Sequence, residues 1–382
     1  MNAKHLQRIC IRFLFLITCF YRLHAIGADS APGVDPVIFT FSTVGDSRYD
    51  RKEADVTPQD KIWQQNTRAL SRILREIEAA KPAALFFNGD MIMGYKTNAS
   101  ILDPEYAYWR GMVANLMESG TYVVPIPGNH EMQIKIKKQP KEGKAASAEE
   151  DVLKVAQPVC EDIWRHNMGD LILETNLWLK LVGAPVEAWD VTNTPSIGGP
   201  DEITTDQTQL TYSFDFKHIH FSILNTDAVG RDSHAPVHWL EQDFAAAKLR
   251  GCTRFFVFGH KMAFTYQFNP SFGIKGLDQF PDNLQAFWKV VTDYKATYFC
   301  GHEHLFHAMQ PVKTDGNDPW QIIVGSGGSP FEAKPGMSSN PNDRKYAWAN
   351  AEVHSSGLVN VVIRGFDEHY GPTETIQTIE IH

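Results

Sequence analysis

Five times along this chain, an apolar strand-like run stops at a glycine followed by a side chain that can hold a metal ion or move a proton. The stops are Gly45-Asp46, Gly89-Asp90, Gly128-Asn129-His130, Gly259-His260 and Gly301-His302, with His304 two residues further on. Before them lie Pro36 to Val44, Ala83 to Phe87, Tyr122 to Ile126, Thr253 to Phe258 and Ala296 to Phe299. These runs are rich in β-branched and aromatic residues and read as buried strands. Glycine allows a sharp turn and close backbone approach at each strand end. Repeated delivery of polar groups to strand ends confines the chain to an α/β layout with its chemistry there.

The intervening segments fit that layout. Trp63 to Ala79 reads as a helix, with Ile62, Leu70, Ile73, Leu74 and Ile77 at helical spacing and Lys81-Pro82 at its end. Tyr108 to Glu118 and Val237 to Leu249 read as helices, and Leu210 to Phe216 and Ile219 to Leu224 as strands. From Trp320 to Ile381 the pattern alternates like antiparallel β structure. Between about Gln133 and Asp206 the rhythm breaks. A Lys-rich loop (Lys135 to Lys144), a predicted helix (Ala148 to Met168) and a Pro/Gly/Thr-rich segment (Asn193 to Thr205) form an insertion, expected to shape the rim of a site or a small cap.

The first residues differ from the rest. Lys4, Arg8 and Arg12 surround the apolar run Phe13 to Phe20, no acid precedes Asp29, and small residues follow at Gly27 and Ala28. Residues 1–28 are therefore expected to be a secretory signal peptide, with residues 36–382 as the folded domain. The apolar run falls short of the ~20 residues that span a bilayer, so no membrane span is expected in the mature chain. The alternative is an uncut N-terminal membrane anchor. The expected destination is outside the cell or the periplasm.

Removing residues 1–28 takes Lys4, Arg8, Arg12 and Arg22 away and moves the formal charge from −9 to −13. Such acidity argues against a duplex nucleic acid partner, which rewards basic surfaces. Cys160, Cys252 and Cys300 would remain, too few for a disulfide scaffold.

Singly, a strand-end Asp often caps a turn and a lone His often packs in a core. Together, Asp46, Asp90, Asn129, His130, His260, His302 and His304 offer carboxylate, amide and imidazole donors with no thiolate. That mixture suits zinc, manganese or iron better than calcium.

Gly45-Asp46-Ser47-Arg48, Gly89-Asp90, Gly128-Asn129-His130-Glu131, Gly259-His260 and Gly301-His302-Glu303-His304 resemble, in order, the motifs of the calcineurin-like metallophosphoesterase superfamily. The resemblance implies a four-layer α/β/β/α sandwich and a centre of two divalent or trivalent ions (Mn, Zn or Fe). By the same resemblance, Asp90 bridges the ions. Asn129, His260 and His302 hold one, Asp46 and His304 hold the other, and His130 stands beside the substrate. The implied activity is hydrolysis of phosphate mono- or diesters of small molecules. Two rivals are a nucleotide or cyclic-nucleotide phosphodiesterase and a non-catalytic phosphate-ligand binding protein on the same fold.

Two departures stand out. Most of the superfamily has D-x-H in the first motif, where this chain has Arg48. Purple acid phosphatases, only distantly similar, supply a Tyr three residues after the second-motif Asp; here that position is Met93, with Tyr95 two further on. The first metal is then expected to be under-coordinated, or to draw on Tyr95, Tyr49 or water. Arg48 is a poor metal ligand and a good phosphate ligand. It is expected to bind phosphate oxygens, or else to pair with a nearby acid. The second departure is Gly89-Asp90-Met91-Ile92-Met93-Gly94, which lacks the G-D-x-x-D-R-G of protein serine/threonine phosphatases and argues against that activity.

Overall fold

The computed structural model describes residues 35–49, 57–137, 152–266, 275–313 and 318–382. The signal-peptide expectation for residues 1–28 and most of the Lys-rich loop lie outside them. Two six-stranded sheets build the domain. The first takes β1 (Val37–Val44), β2 (Ala84–Asn88) and β3 (Tyr122–Ile126) as parallel neighbours, then adds β14 (Lys345–His354), β15 (Val359–Asp367) and β16 (Glu374–Ile381) antiparallel, in the order β16-β15-β14-β1-β2-β3. The second contains β6 (Tyr212–Phe216), β7 (Ile219–Leu224), β10 (Arg254–Gly259), β11 (Thr297–Cys300), β12 (Phe306–Met309) and β13 (Gln321–Val324), in the order β12-β13-β11-β10-β7-β6.

Phenylalanines join the sheets. Phe86 of β2 stacks on Phe258 of β10 with centroids 4.0 Å apart, and Phe41 of β1 meets Phe256 edge-on at 5.2 Å. All four are fully buried, each removing roughly 1.5–3 kcal/mol of apolar side chain from water. This packed interior fixes the strand ends that carry the polar groups.

Helices cover the outer faces. Helix α1 (Pro58–Trp63) stops at Gln64 in the left-handed conformation, and α2 (Thr67–Ala80) starts anew with Asn66 capping the Ala69 N–H. The expected single helix from Trp63 is thus two. Helix α3 runs Ala99–Glu118, beginning well before the expected Tyr108. Pro104 hides that start in the sequence. The hydrogen bond it removes would have gone to the carbonyl of Ser100, an exposed residue where water can substitute.

The insertion corrects one expectation outright. Ala148 to Met168 is not one helix: β5 (Val152–Ala156) pairs antiparallel with β4 (Gln133–Lys137), and only Pro158–Met168 (α5) is helical. The Lys135–Lys144 segment accordingly begins as strand. The root of this hairpin bonds to a short antiparallel ribbon, β8 (Asp227–Ala228) with β9 (Arg231–Asp232): Gln133 Nε2 donates to Asp227 Oδ1 (3.0 Å) and Asp232 Oδ1 (2.8 Å), while the Ala156 N–H donates to Asp232 Oδ1 (2.9 Å). A single helical turn, α4 (Asn129–Met132), follows β3; helices α6 (Thr175–Val182), α7 (Val237–Leu249) and α8 (Pro281–Asp293) complete the layers, with α7 and α8 packing over the second sheet through Leu240, Phe244, Phe287 and Val291. Among the described residues, no helix is long and apolar enough to cross a membrane.

Candidate metal centre

The strand ends of the two sheets meet at one cleft of about 590 Å³, and Arg48, Asp90, Asn129, His130, His302 and His304 line it. Asp46, Asp90 and His302 adopt left-handed backbone conformations (φ 61°, 52° and 71°) that L-residues rarely take. Each costs roughly 1–3 kcal/mol and turns a side chain inward, a pattern typical of functional sites. The glycines matter sterically where backbones crowd: a Cβ at Gly301 would run into Asp46 Oδ2, and one at Gly128 into the Asp90 backbone nitrogen.

One group of donors gathers around His260. The His260 Nδ1–H donates to the Asn88 carbonyl (2.8 Å), which turns Nε2 toward the cleft residues. That Nε2 lies 2.9 Å from Asn129 Oδ1, 3.2 Å from Asp90 Oδ1 and 3.0 Å from His302 Nδ1. The Asn129 amide is oriented by its Nδ2, which donates to the Tyr95 hydroxyl. Of these four atoms, Asp90 Oδ1 accepts the His130 backbone N–H (3.0 Å), while the other three face one another around a shared point. Acceptors crowded this closely away from water repel one another unless a cation sits among them. The donor set fits a zinc-, manganese- or iron-type ion, and Asp90, His260 and His302 converge as a metal-competent cluster.

A second group lies around Asp46, Asp90 and His304. The His304 Nδ1–H donates to the Pro330 carbonyl (2.7 Å), turning Nε2 toward Asp46 Oδ1 at 3.7 Å. Asp46 Oδ2 accepts the His302 backbone N–H (3.0 Å), while its buried Oδ1 has no hydrogen-bond partner. Arg48 enters this group: its Nη2 lies 3.2 Å from His304 Nε2 and its Nε 3.5 Å from Asp90 Oδ2. Tyr95 sits on the other side, with its ring 4.0 Å from that of His130 and its hydroxyl on Asn129. Tyr49 is buried, its backbone N–H donating to Gln64.

Electrostatics favour the neutral form of His130, His302 and His304, the form that binds metal. Burial lowers His302 well below the ordinary histidine value, with the His260 ring adding to it. Burial and the Arg48 charge do the same to His130 and His304. Burial and the Asp90 charge raise Asp46 well above the usual carboxylate range. Such crowded acidity is what bound cations relieve.

With this geometry in place, comparison with known families decides the lineage: residues 44–306 match the model described as calcineurin-like phosphoesterase. The chain belongs to that family. The two-sheet architecture is the family's sandwich. No curated protein sequence matches the chain. Similar solved structures include a purple acid phosphatase from yellow lupin (Lupinus luteus) seeds, at 13% identity and TM-score 0.49, covering 92% of this chain and 55% of that one. Others are GAP50, the anchor in the inner membrane complex of Plasmodium (13%, 0.45, 90% and 88%), and a dimetal phosphatase from Danio rerio (14%, 0.41, 90% and 99%). The chain thus spans about half the length of the lupin phosphatase.

Asp90, Asn129, His302 and His304 line the cleft, and the buried Asp46 and His260 stand directly behind them, Asp46 3.7 Å from His304 and His260 3.2 Å from Asp90. His130 is there too; its Nδ1–H donates to the Met93 carbonyl (2.6 Å), and its Nε2 lies 3.5 Å from Asp90 Oδ2. Three neighbours escaped the sequence reading. Glu131 accepts four backbone N–H groups, from Gly128 and Asp90 on Oε2 (2.8 and 2.9 Å) and from Met91 and Ile92 on Oε1 (2.9 and 3.1 Å). It ties the turns of Asp90 and Asn129 together, and the motif Gly128-Asn129-His130-Glu131 was the signal that could have marked it. Lys261, directly after His260, lines the cleft and is held by Asp227 Oδ1 (2.5 Å) and Ser233 (2.6 Å). Lys154 reaches the cleft from β5, beyond any motif.

Proposed function

We propose that the protein hydrolyses phosphate esters of small molecules at a metal centre in this cleft. The convergence of Asn129 Oδ1, Asp90 Oδ1 and His302 Nδ1 on His260 Nε2, at 2.9, 3.2 and 3.0 Å, carries the reading. Asp90 stands in both donor groups, so its carboxylate is suited to bridge. Metal bound by these residues would supply polarisation of a phosphoryl oxygen and an acidified water. The metal identity expected from the donors is Mn, Zn or Fe.

The chain's own residues supply the rest. Glu131 holds the turns of Asp90 and Asn129 at fixed spacing, so the ligands need not reorganise when substrate arrives. With Nδ1–H pinned on Met93, His130 offers Nε2 to the cleft. Kept neutral by burial and Arg48, that lone pair can accept a hydrogen bond or a proton from a water or substrate hydroxyl in the cleft. Arg48, Lys154 and Lys261 counter the negative charge of an incoming phosphate in an otherwise acidic protein. The basic, apolar start at residues 1–28 completes the proposal as an export signal, with a mature N-terminus near Ala28 or Asp29.

Chelation tests this directly. Hydrolysis of p-nitrophenyl phosphate or bis-p-nitrophenyl phosphate is expected to stop in chelator-treated protein and to return with Mn²⁺ or Zn²⁺; the preferred substrate reports the ester class. Full turnover by metal-stripped protein contradicts the reading. Tight metal and phosphate binding without turnover of either ester identifies the binding-protein rival instead.

A further inference from the structure

The two donor groups are not equally open to a metal ion. Around His260, the acceptors face one another. Around His304, a donor is already in place: the Arg48 Nη2 hydrogen bond to Nε2, at 3.2 Å, takes up the lone pair a metal would need. The same guanidinium brings its Nε to 3.5 Å from Asp90 Oδ2, the second ligand of that group. We propose that this centre holds one tightly bound metal ion, at Asp90, Asn129, His260 and His302, with the Arg48 guanidinium standing as the permanent second cation. The proposal rests on the metal-centre reading above and specifies its stoichiometry.

Three features hold Arg48 in that position. Its backbone N–H lies 3.4 Å from the Asp90 carbonyl, and its own carbonyl accepts the Ser329 hydroxyl at 3.1 Å. It also forms a backbone bridge with Gln65, whose Oε1 accepts the Ser47 hydroxyl (3.0 Å). The side chain is 15% exposed, so it has little room to swing into bulk water. A guanidinium keeps its proton at any working pH, so it cannot give way as a histidine or lysine can.

A divalent ion placed among Asp46, Asp90 and His304 would sit within a few ångströms of that fixed positive charge. The two repel through a poorly screening interior. The partnerless Asp46 Oδ1 still faces the group, so residual, weak affinity for a second ion is expected there. The arrangement also gives Arg48 a use. A guanidinium has five N–H donors, and those not aimed at His304 and Asp90 are available to the cleft it lines. A phosphoryl oxygen between the metal and Arg48 would meet positive charge on both sides, as it does between two metals in a dinuclear site.

Mn²⁺ titrated into the chelator-stripped full-length protein tests the inference by stoichiometry and electron paramagnetic resonance. The expected result is one tight Mn²⁺ per chain with the hyperfine-split signal of an isolated ion, and a second event weaker by ~100-fold or more. Arg48→His should close that gap and give the broadened spectrum of an interacting pair. Arg48→Ala provides the same test if the histidine variant does not fold, because removing the charge alone should admit the second ion. Two equally tight ions with a coupled spectrum in the unmodified chain overturn the inference while leaving the hydrolytic reading intact. So does a second affinity that stays weak in both variants. Protein that binds no Mn²⁺ and cleaves neither nitrophenyl ester overturns both.

Discussion

Two buried clusters in this molecule use the same residue types and are wired in opposite ways. One is the cleft, where Asp46, Asp90, His260, His302 and His304 meet. The other lies under α7. There His220 of β7 sits between Asp215 of β6 (Nδ1 to Oδ1, 2.6 Å) and Asp243 of α7 (Nε2 to Oδ2, 2.8 Å). In the second cluster every acceptor has a donor. Asp243 also receives the hydroxyls of Ser213 (2.6 Å) and Ser222 (2.8 Å) and the Asn193 amide (2.9 Å), and Asp215 receives Arg250 Nε (2.6 Å) and Nη2 (3.0 Å). Burial works against the His220 proton, but Asp243 and Asp215 outweigh it and raise its pKa above the ordinary value. In the cleft, burial and positive neighbours lower His130, His302 and His304, and acceptors face acceptors. A Ser, a His and two Asp together do not make a catalytic site when all of them are buried and satisfied. Unmet valence facing a cleft is what separates the metal centre from the structural network.

Substitutions can be chosen to separate the two. In the cleft, Asp90→Asn is expected to lower kcat/KM by ~10³-fold or more, because it removes the charge shared by both donor groups. The same change should leave the melting temperature of the chelator-treated protein unchanged or higher, since it thins a crowd of buried carboxylates. A marked drop in that melting temperature would mean the cleft is a satisfied network after all. Under α7, His220→Gln is expected to cost about 3–5 kcal/mol of stability by urea unfolding, leaving Asp243 buried without a cation and Asp215 with Arg250 alone. Metal content and KM should not move. If metal is lost with His220, the clusters are coupled and the contrast fails.

Much of the cleft was legible in sequence because each ligand follows a strand and a glycine within a few residues. Local patterns carry that information. What escaped depends on contacts between distant segments. The run of Ala, Glu, Lys and Val from Ala148 reads as helix by propensity, and only pairing with Gln133–Lys137 makes its central part a strand. The direction of Arg48 follows from where His304 falls, 256 residues away. The His220 network joins β6, β7, α7 and the Asn193 loop, so no single window displays it. Its His was read merely as part of the strand from Ile219 to Leu224.

A smaller effect follows from protonation. The His220 charge contributes stability that is fully present below the unfolded histidine pKa near ~6.5 and is lost as pH rises through its higher folded-state value. The Asp215 carboxylate, held down to about 2 by His220 and Arg250 against the cost of burial, contributes above the unfolded value near ~3.9 and fades as pH falls toward 2. Unfolding free energy measured in chelator should therefore decline from neutral pH upward in the natural chain. That slope should shrink in His220→Gln. An identical alkaline slope in both would show that another group sets it.

The most direct test of the metal centre is anomalous X-ray diffraction at the manganese edge from crystals of the full-length protein soaked in Mn²⁺. A strong anomalous peak is expected among Asp90 Oδ1, Asn129 Oδ1, His260 Nε2 and His302 Nδ1. A crystal in which those four atoms enclose no anomalous density at saturating Mn²⁺, or in which the only strong peak lies elsewhere, would contradict the account.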